Sequence, residues 1–297
     1  MGIFALMGKL TEDILAFLEG HGLECTVRRV DGFDFIRIVP QEGIPPVLPL
    51  DIDATDEQAA ADAARRLGGV LEAAENREGY PLVVTEDRWR SQSDMMQSRL
   101  LAHLRIFTQV YARNCEVRKL DRQTAAEFLM ANHSYGDAKC RYRYGLYLKR
   151  HTGHNAGTSE VSPGTLVAVA TFSNARRWIK GDKTIRSYEW TRYSSLPGVR
   201  LSGGMGKLLK TFIDEVNPDD IMTYADLEWS VGKVYEQLGF RLEGTKQPVV
   251  FRIDASWRRF PVKPGMTEGM ALKGMEGNLF FQNPGSNKYR LKLTDYQ

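Results

Sequence analysis

The chain has 297 residues, with 40 Lys and Arg against 37 Asp and Glu for a net charge of +3, and 42% of it is hydrophobic. Such a length holds about two domains with cores of their own, and the hydrophobic share is that of an ordinary globular protein. No run reaches the roughly 18 apolar residues of a membrane span, the apolar start at Met1 to Leu10 is broken by Glu12-Asp13, and Cys25, Cys115 and Cys140 lack metal-ligand spacing and cannot all pair; these features exclude a membrane protein and a disulfide scaffold and point to the cytoplasm.

Residues 1–112 read as a small α/β domain. Leu10 to Glu19 is expected as a helix capped by Thr11, Phe33 to Val39 as an alternating strand, and 41–49 as a proline-rich connection. An Ala-rich helix follows from Asp56 to Ala74, then a strand at Pro81 to Val84 and a helix from about Ser93 to Val110. Asp51 and Asp53 read as surface carboxylates or as remnants of a metal site, and no Glu-x-Lys accompanies them.

The second half alternates strands and helices. Cys115 to Leu120 reads as a strand, and Asp121 caps a helix through Asn132 with Ala125, Phe128 and Leu129 on one face. In Arg141 to Leu148, period-two alternation puts Tyr142, Tyr144, Leu146 and Leu148 on one side. Thr165 to Phe172 and Ile185 to Tyr193 are further apolar strands. Val199-Arg-Leu-Ser-Gly-Gly-Met-Gly-Lys207 then leads into a helix from Leu208 to Val216. Glycines before a helix start let backbone N–H groups and the helix dipole face a phosphate, although a plain turn has the same look. Ile221 to Tyr224 is a short strand, Trp229, Val234 and Leu238 recur at helical spacing, and Gly239 suits the left-handed position after a helix end with Phe240 folding back. Residues 263–297 form an extension in which 278–282 and 288–293 read as a hairpin around Asn283-Pro-Gly-Ser286.

The stretch Thr223 to Phe240, with Tyr235 four residues before Gly239-Phe240, resembles the closing segment of GNAT-type N-acyltransferases, and the β-α-β-β-β-α-β-α-β order over about 113–262 agrees with that fold. Asn132-His133-Ser-Tyr-Gly136, Tyr188-Glu189-Trp-Thr-Arg192, Gly203-Gly204 and Tyr224-Ala-Asp226, with Glu86-Asp-Arg-Trp89 and Ser98-Arg-Leu100 before them, are similar to a GNAT-like domain of phages and mobile elements, the fold proposed for the phage DNA-modification protein Mom. The resemblance implies a GNAT-like mixed-sheet α/β domain behind a small α/β domain, acetyl-CoA or another acyl-CoA as cofactor, and Tyr235 as general acid for the departing thiolate. It places the CoA pyrophosphate on Arg200, Ser202, Gly203, Gly204, Gly206 and Lys207. The family pattern there is Gln or Arg, two residues, Gly, one residue, then Gly or Ala. Matching Arg200 and Gly203 puts Met205 last, whereas matching Gly204 and Gly206 puts Leu201 first.

Acyl transfer needs an amine stripped of its proton by a carboxylate or imidazole near the thioester. Glu189 is the first candidate base, with an ion pair to Arg192 or Arg141 as its alternative. Asp226 is a second candidate or a helix cap, and His133 a third or a partner of a helix C-terminus. The acceptor is a small-molecule or nucleobase amine. Charge is divided: residues 1–112 carry a net −7 and the remainder a net +10. In the basic part Arg141, Arg143, Arg176 and Arg177 stand among aromatics, an arrangement suited to phosphate contacts and base stacking or to a solvated face. The alternative function is therefore a nucleic-acid-binding or DNA-modifying protein of mobile-element ancestry that uses the fold without acetyl transfer. No metal is implied.

Overall fold

The computed structural model describes residues 7–39, 43–150, 161–262 and 279–296. In chain order the elements are α1 (Lys9–Gly20), β1 (Glu24–Val30), β2 (Phe33–Val39), β3 (Val47–Leu50), α2 (Glu57–Glu78), β4 (Leu82–Thr85), α3 (Glu86–Ser91), α4 (Ser93–His103), β5 (Thr108–Tyr111), β6 (Cys115–Lys119), α5 (Arg122–Asn132), β7 (Tyr142–Leu148) and β8 (Leu166–Phe172). They continue with β9 (Arg176–Lys180), β10 (Lys183–Ser195), β11 (Val199–Ser202), α6 (Gly204–Val216), β12 (Asp220–Asp226), α7 (Lys233–Gln237), β13 (Arg241–Lys246), β14 (Val250–Ile253), β15 (Arg259–Pro261), β16 (Leu279–Gln282) and β17 (Ser286–Lys292). The fold is mixed α/β, in the element order the GNAT resemblance implies, with β9 and β11 added. Among the described residues no helix is long and apolar enough to cross a membrane.

Two compact units form, and both are discontinuous in sequence. One comprises residues 1–96, 225–232 and 245–287, the other 97–224, 233–244 and 288–297. The consecutive boundaries at 112 and 262 expected from the sequence differ from this because the chain leaves and re-enters each unit, which composition does not record.

In the first unit β1, β2 and β3 form an antiparallel meander, and β4 runs parallel to β3 after the α2 crossover. Asp56 caps α2 through Ala59 N–H at 2.7 Å, and the helix packs Leu67, Val70, Leu71 and Ala74 onto Phe35, Leu48 and Val83. Thr11 does not cap α1: its hydroxyl is buried and donates to Asp34 at 3.0 Å, while Asp51 accepts from Leu10 N–H. A second small sheet of β15, β14 and β16 carries Phe251, Ile253 and Phe281 against Ile52.

The second unit is built on the sheet β13-β17-β12-β10-β8-β7-β6, with β9 hairpinned to β10. Tyr144, Leu146 and Leu148 are buried on one face, as alternation requires. α6 lays Leu208, Leu209 and Phe212 on the sheet, with the Phe212 ring stacked on Phe172 at 3.9 Å between centroids. Three expectations are corrected here. The helix from Ser93 stops at His103, and Thr108 to Tyr111 instead forms a strand parallel to β11. The glycines of the loop are part of α6, which begins at Gly204, whereas Trp229 lies in a turn and only Lys233–Gln237 is helical. The tail forms no hairpin: β16 pairs with β14, while β17 lies between β12 and β13, where Tyr289 is buried. Asn278 lies outside the described residues.

Candidate active site

The central pair of strands comes apart. β10 and β12 are parallel and bonded only at Ser187–Asp220, Tyr188–Ile221 and Glu189–Met222. Beyond them the β10–β8 register shifts between Trp190 and Arg192, a bulge that bends β10, and a Thr223 hydroxyl donating to Trp190 O at 3.1 Å links the two strands there.

On one side of this split stands Tyr235. α7 ends in a Schellman closure: Phe240 N–H donates to Tyr235 O and Gly239 N–H to Glu236 O, with Gly239 at φ 88°. The closure buries Phe240 beside Tyr235, and Trp190, Phe240 and Tyr289 surround the phenol ring at 5.6–6.2 Å. Burial raises the Tyr235 phenol above the usual tyrosine range, and a hydrogen bond with Thr223 acts in the opposite sense. Tyr193 has its phenol raised in the same way, by burial first and then by Tyr235 and Cys115. Both groups therefore hold their protons through neutral pH.

Tyr193 also lines an open cleft of about 590 Å³, together with His103, Arg200 to Gly206, Val234, Gln237 and Leu238. Gly203 adopts φ 76° at the N-cap of α6 and offers no side-chain cap, and the first helical bond is donated by Lys207 to Gly203 O. The amides of Gly204, Met205 and Gly206 thus precede the hydrogen-bond ladder. A Cβ on Gly204 would stand 2.5 Å from Leu201 Cδ2 and 3.1 Å from the Tyr193 hydroxyl, and one on Gly206 would touch Leu238 at 3.4 Å. The helix start is consequently a bare backbone cradle with the positive end of a 13-residue helix behind it. Gln109 bridges it, donating to Ser202 Oγ at 2.8 Å and to Arg200 O at 2.9 Å, while Arg200 lies over the Phe107 ring.

The other expected residues fall as follows. Lys207 does not face the cleft: its ammonium donates to Ala112 O at 2.9 Å and to Cys115 O at 2.6 Å. Glu189 is half-buried at the last bonded position of the split, and alternation sets it on the opposite face of β10 from Trp190, hence from Tyr235. Its charge acts on Arg192, whose side chain donates to Gly136 O at 3.1 Å. With Ser194 Oγ donating to Asn132 O, this brings the 132–136 and 188–192 segments together. His133 is the C-cap residue of α5, and its Nδ1 accepts from Tyr135 N–H at 3.1 Å, which fixes the other nitrogen as the protonated one in the neutral ring. Asp226 caps no helix: Oδ1 accepts Glu228 N–H at 2.9 Å in the turn after β12. Arg141 and the strand residues Arg176 and Arg177 are exposed, and Arg143 donates to Cys140 O. Sequence reasoning missed Tyr193, Thr223, His103 and Gln109. Thr223 and Tyr193 carried one signal each, a hydroxyl inside an apolar strand.

No protein-family profile matches this chain, and no curated protein does. Among solved structures it is similar to Eis1 from Mycobacterium abscessus, with 15% identity over 47% of this chain and a TM-score of 0.33; the chain spans only 34% of Eis1. It is also similar to a chain of the NatC complex bound to Gag peptide and CoA, with 13% identity over 61% of this chain and 99% of that one, again at a TM-score of 0.33. At such identities and overlaps the chemistry of the site rests on its own residues.

Proposed function

We propose that the chain is a CoA-dependent N-acyltransferase acting on an amine, working in the reducing cytoplasm that its three free thiols suit. The observation that carries this reading is the bare backbone cradle of α6 opening on a cleft lined by Tyr193, with Tyr235 buried at the split strand pair and one residue along α7 from the cleft-lining Val234. The amides of Gly204, Met205 and Gly206 suit a pyrophosphate, with Arg200 and Ser202 at its rim. An acyl-CoA bound there supplies the activated thioester. Tyr235 holds the proton that the departing sulfur takes as the C–S bond breaks, and Glu189, on the opposite face of β10, accepts the proton the amine loses as its C–N bond forms. Thr223 holds the Tyr235 phenol in place through its hydrogen bond. Acid and base thereby stand on opposite faces of β10.

Calorimetric titration with acetyl-CoA tests the reading: binding is expected, and Gly204→Asp is expected to abolish it by filling the cradle with a side chain and a negative charge. No heat at millimolar ligand, or binding indifferent to Gly204→Asp, overturns it. A second reading, a phage-type DNA-modifying protein that keeps the fold without acetyl transfer, has one observation in its favour. Lys207, the cation closest in sequence to the cradle, is engaged by two carbonyls and not by the cleft. Absence of acetyl-CoA binding is what that reading requires.

A further inference from the structure

The hairpin of β9 and β10 has an unusual surface. Every residue of β9 is exposed, with Trp178 at 53% and Ile179 at 84%. Residues 176–186 hold five cations against the single carboxylate of Asp182. The register sets cation against cation twice: Arg177 faces Arg186, and Lys180 faces Lys183. Like charges directly opposite in an antiparallel pair weaken it. The relief in hand is partial: Arg186 reaches Asp219 at 3.6 Å and Asn217 O, and Lys183 donates to Asp295 O at 3.0 Å, whereas Arg177 and Lys180 are exposed. Arg141 adds a further exposed cation at this end of the sheet, since its N–H is bonded to Phe172 O, four residues before Arg176.

We infer that this hairpin binds single-stranded nucleic acid, with a phosphate seated between Lys180 and Lys183 and a base stacked on Trp178, which strand alternation puts on the same face as Lys180. An anion between that pair removes repulsion that the bare hairpin bears, and residues two apart on a strand are about 6.6 Å apart, so Arg176, Trp178 and Lys180 offer cation, ring and cation in succession along an extended chain. Stacking on Trp178 needs an unpaired base, which a duplex does not offer. A membrane surface suits the hairpin less. Its tip is Lys180-Gly-Asp-Lys183, and Trp178 and Ile179, adjacent on a strand, point to opposite faces, so there is neither an apolar tip nor an apolar face to insert. The inference does not rest on the acyltransferase reading, because residues 176–186, which carry the cations and Trp178, include none of the residues that line the cleft.

The test is fluorescence anisotropy of a labelled oligothymidylate of about 15 nucleotides with the full chain, between about 50 and 200 mM salt. Affinity is expected to fall with a log–log slope of roughly −0.7 per phosphate engaged, and Lys180→Gln to lower that slope by about one such step. Trp178→Ala is expected to weaken binding roughly 5- to 100-fold and Trp178→Phe to restore most of it, as stacking requires. These positions are exposed, so the variants are expected to fold, and acetyl-CoA titration of each reports on the cleft separately. Three results overturn the inference: no binding at the lowest salt; equal binding of duplex with Trp178→Ala silent; or preference for anionic phosphatidylserine vesicles or polyglutamate over the oligonucleotide.

Discussion

At the scale of single residues, the proposed acyl transfer turns on Tyr235. Its ring is fixed by Trp190, Phe240 and Tyr289, and its proton by burial, so replacing it with Phe keeps the packing and removes only the acid. Tyr235→Phe is expected to slow acyl transfer on the order of 10²- to 10⁴-fold with acetyl-CoA affinity nearly unchanged, measured by release of free thiol in an amine screen. Equal rates for the two proteins would remove the phenol from the mechanism. Glu189→Gln is expected to slow the same step and leave CoA binding intact; activity equal to the parent's would assign the carboxylate to Arg192 alone.

At the scale of elements, two charge arrangements hold strands in place. Glu243 on β13 accepts from Arg290 on β17 at 2.6 and 3.0 Å and pairs with Lys288 at 2.7 Å. The Arg290 hydrogen bonds, opposed by burial and helped by Lys288, bring its carboxyl down from 4.5 to about 2. A folded value below the unfolded one means that this contribution is present above about pH 4.5 and is lost as pH falls towards 2. Glu243→Gln is expected to flatten that part of the acid-unfolding curve, and an unchanged acid limb would count against the pairing. In the first unit Arg88, Asp87, Glu228 and Arg259 form a buried cluster, with Arg88 on Glu228 at 3.0 Å, Arg259 on Glu228 at 2.6 Å and on Asp87, and the Arg259 guanidinium over the Phe281 ring at 4.4 Å. Arg259→Met leaves two carboxylates with one cation, for which a loss of about 3–5 kcal/mol in urea unfolding is expected. A loss under 1 kcal/mol would show that the cluster is hydrated.

At the scale of the whole molecule, the interleaved path of the chain decides what can be cut. β17 fills the gap between β12 and β13, places Tyr289 against Tyr235, and contributes Arg290 to Asp220 at 2.5 Å. A fragment of residues 113–262 has the glycine loop and the Thr223 to Phe240 segment of the acyltransferase resemblance but lacks β17. It is expected to show no cooperative urea transition, because an open strand slot and the loss of a buried aromatic of the kind that costs about 3–5 kcal/mol when truncated exceed the reserve of a small domain. A cooperative transition matching that of the full chain would overturn this.

Local chemistry was enough for much of the fold. Asp121 reads as a cap because a short carboxylate reaches the second and third amides of a helix, the 141–148 alternation reads as a strand because side chains alternate with period two, and Gly239-Phe240 reads as a helix closure because only the left-handed position wants glycine. The same residues carried the candidate site as far as Tyr235, Glu189 and the glycine cradle. The rest depends on contacts between distant segments. Thr108 to Tyr111 continued a helical pattern until β11 offered it a parallel partner, and Asn283-Pro-Gly-Ser286 reads as a hairpin turn although its flanking strands join different sheets. Lys207 was a phosphate ligand by position and became a clamp on two carbonyls. By itself the sequence determined the Asp121 cap, the alternation and the order of elements, since these are settled within a few residues, whereas Thr11 and Asp226 were drawn from capping into other contacts. Only the tertiary structure decided the split between β10 and β12, the meeting of Tyr193, Thr223 and Tyr235, and the like-charged face of the β9 hairpin, since each is a pairing between segments whose register no local pattern encodes.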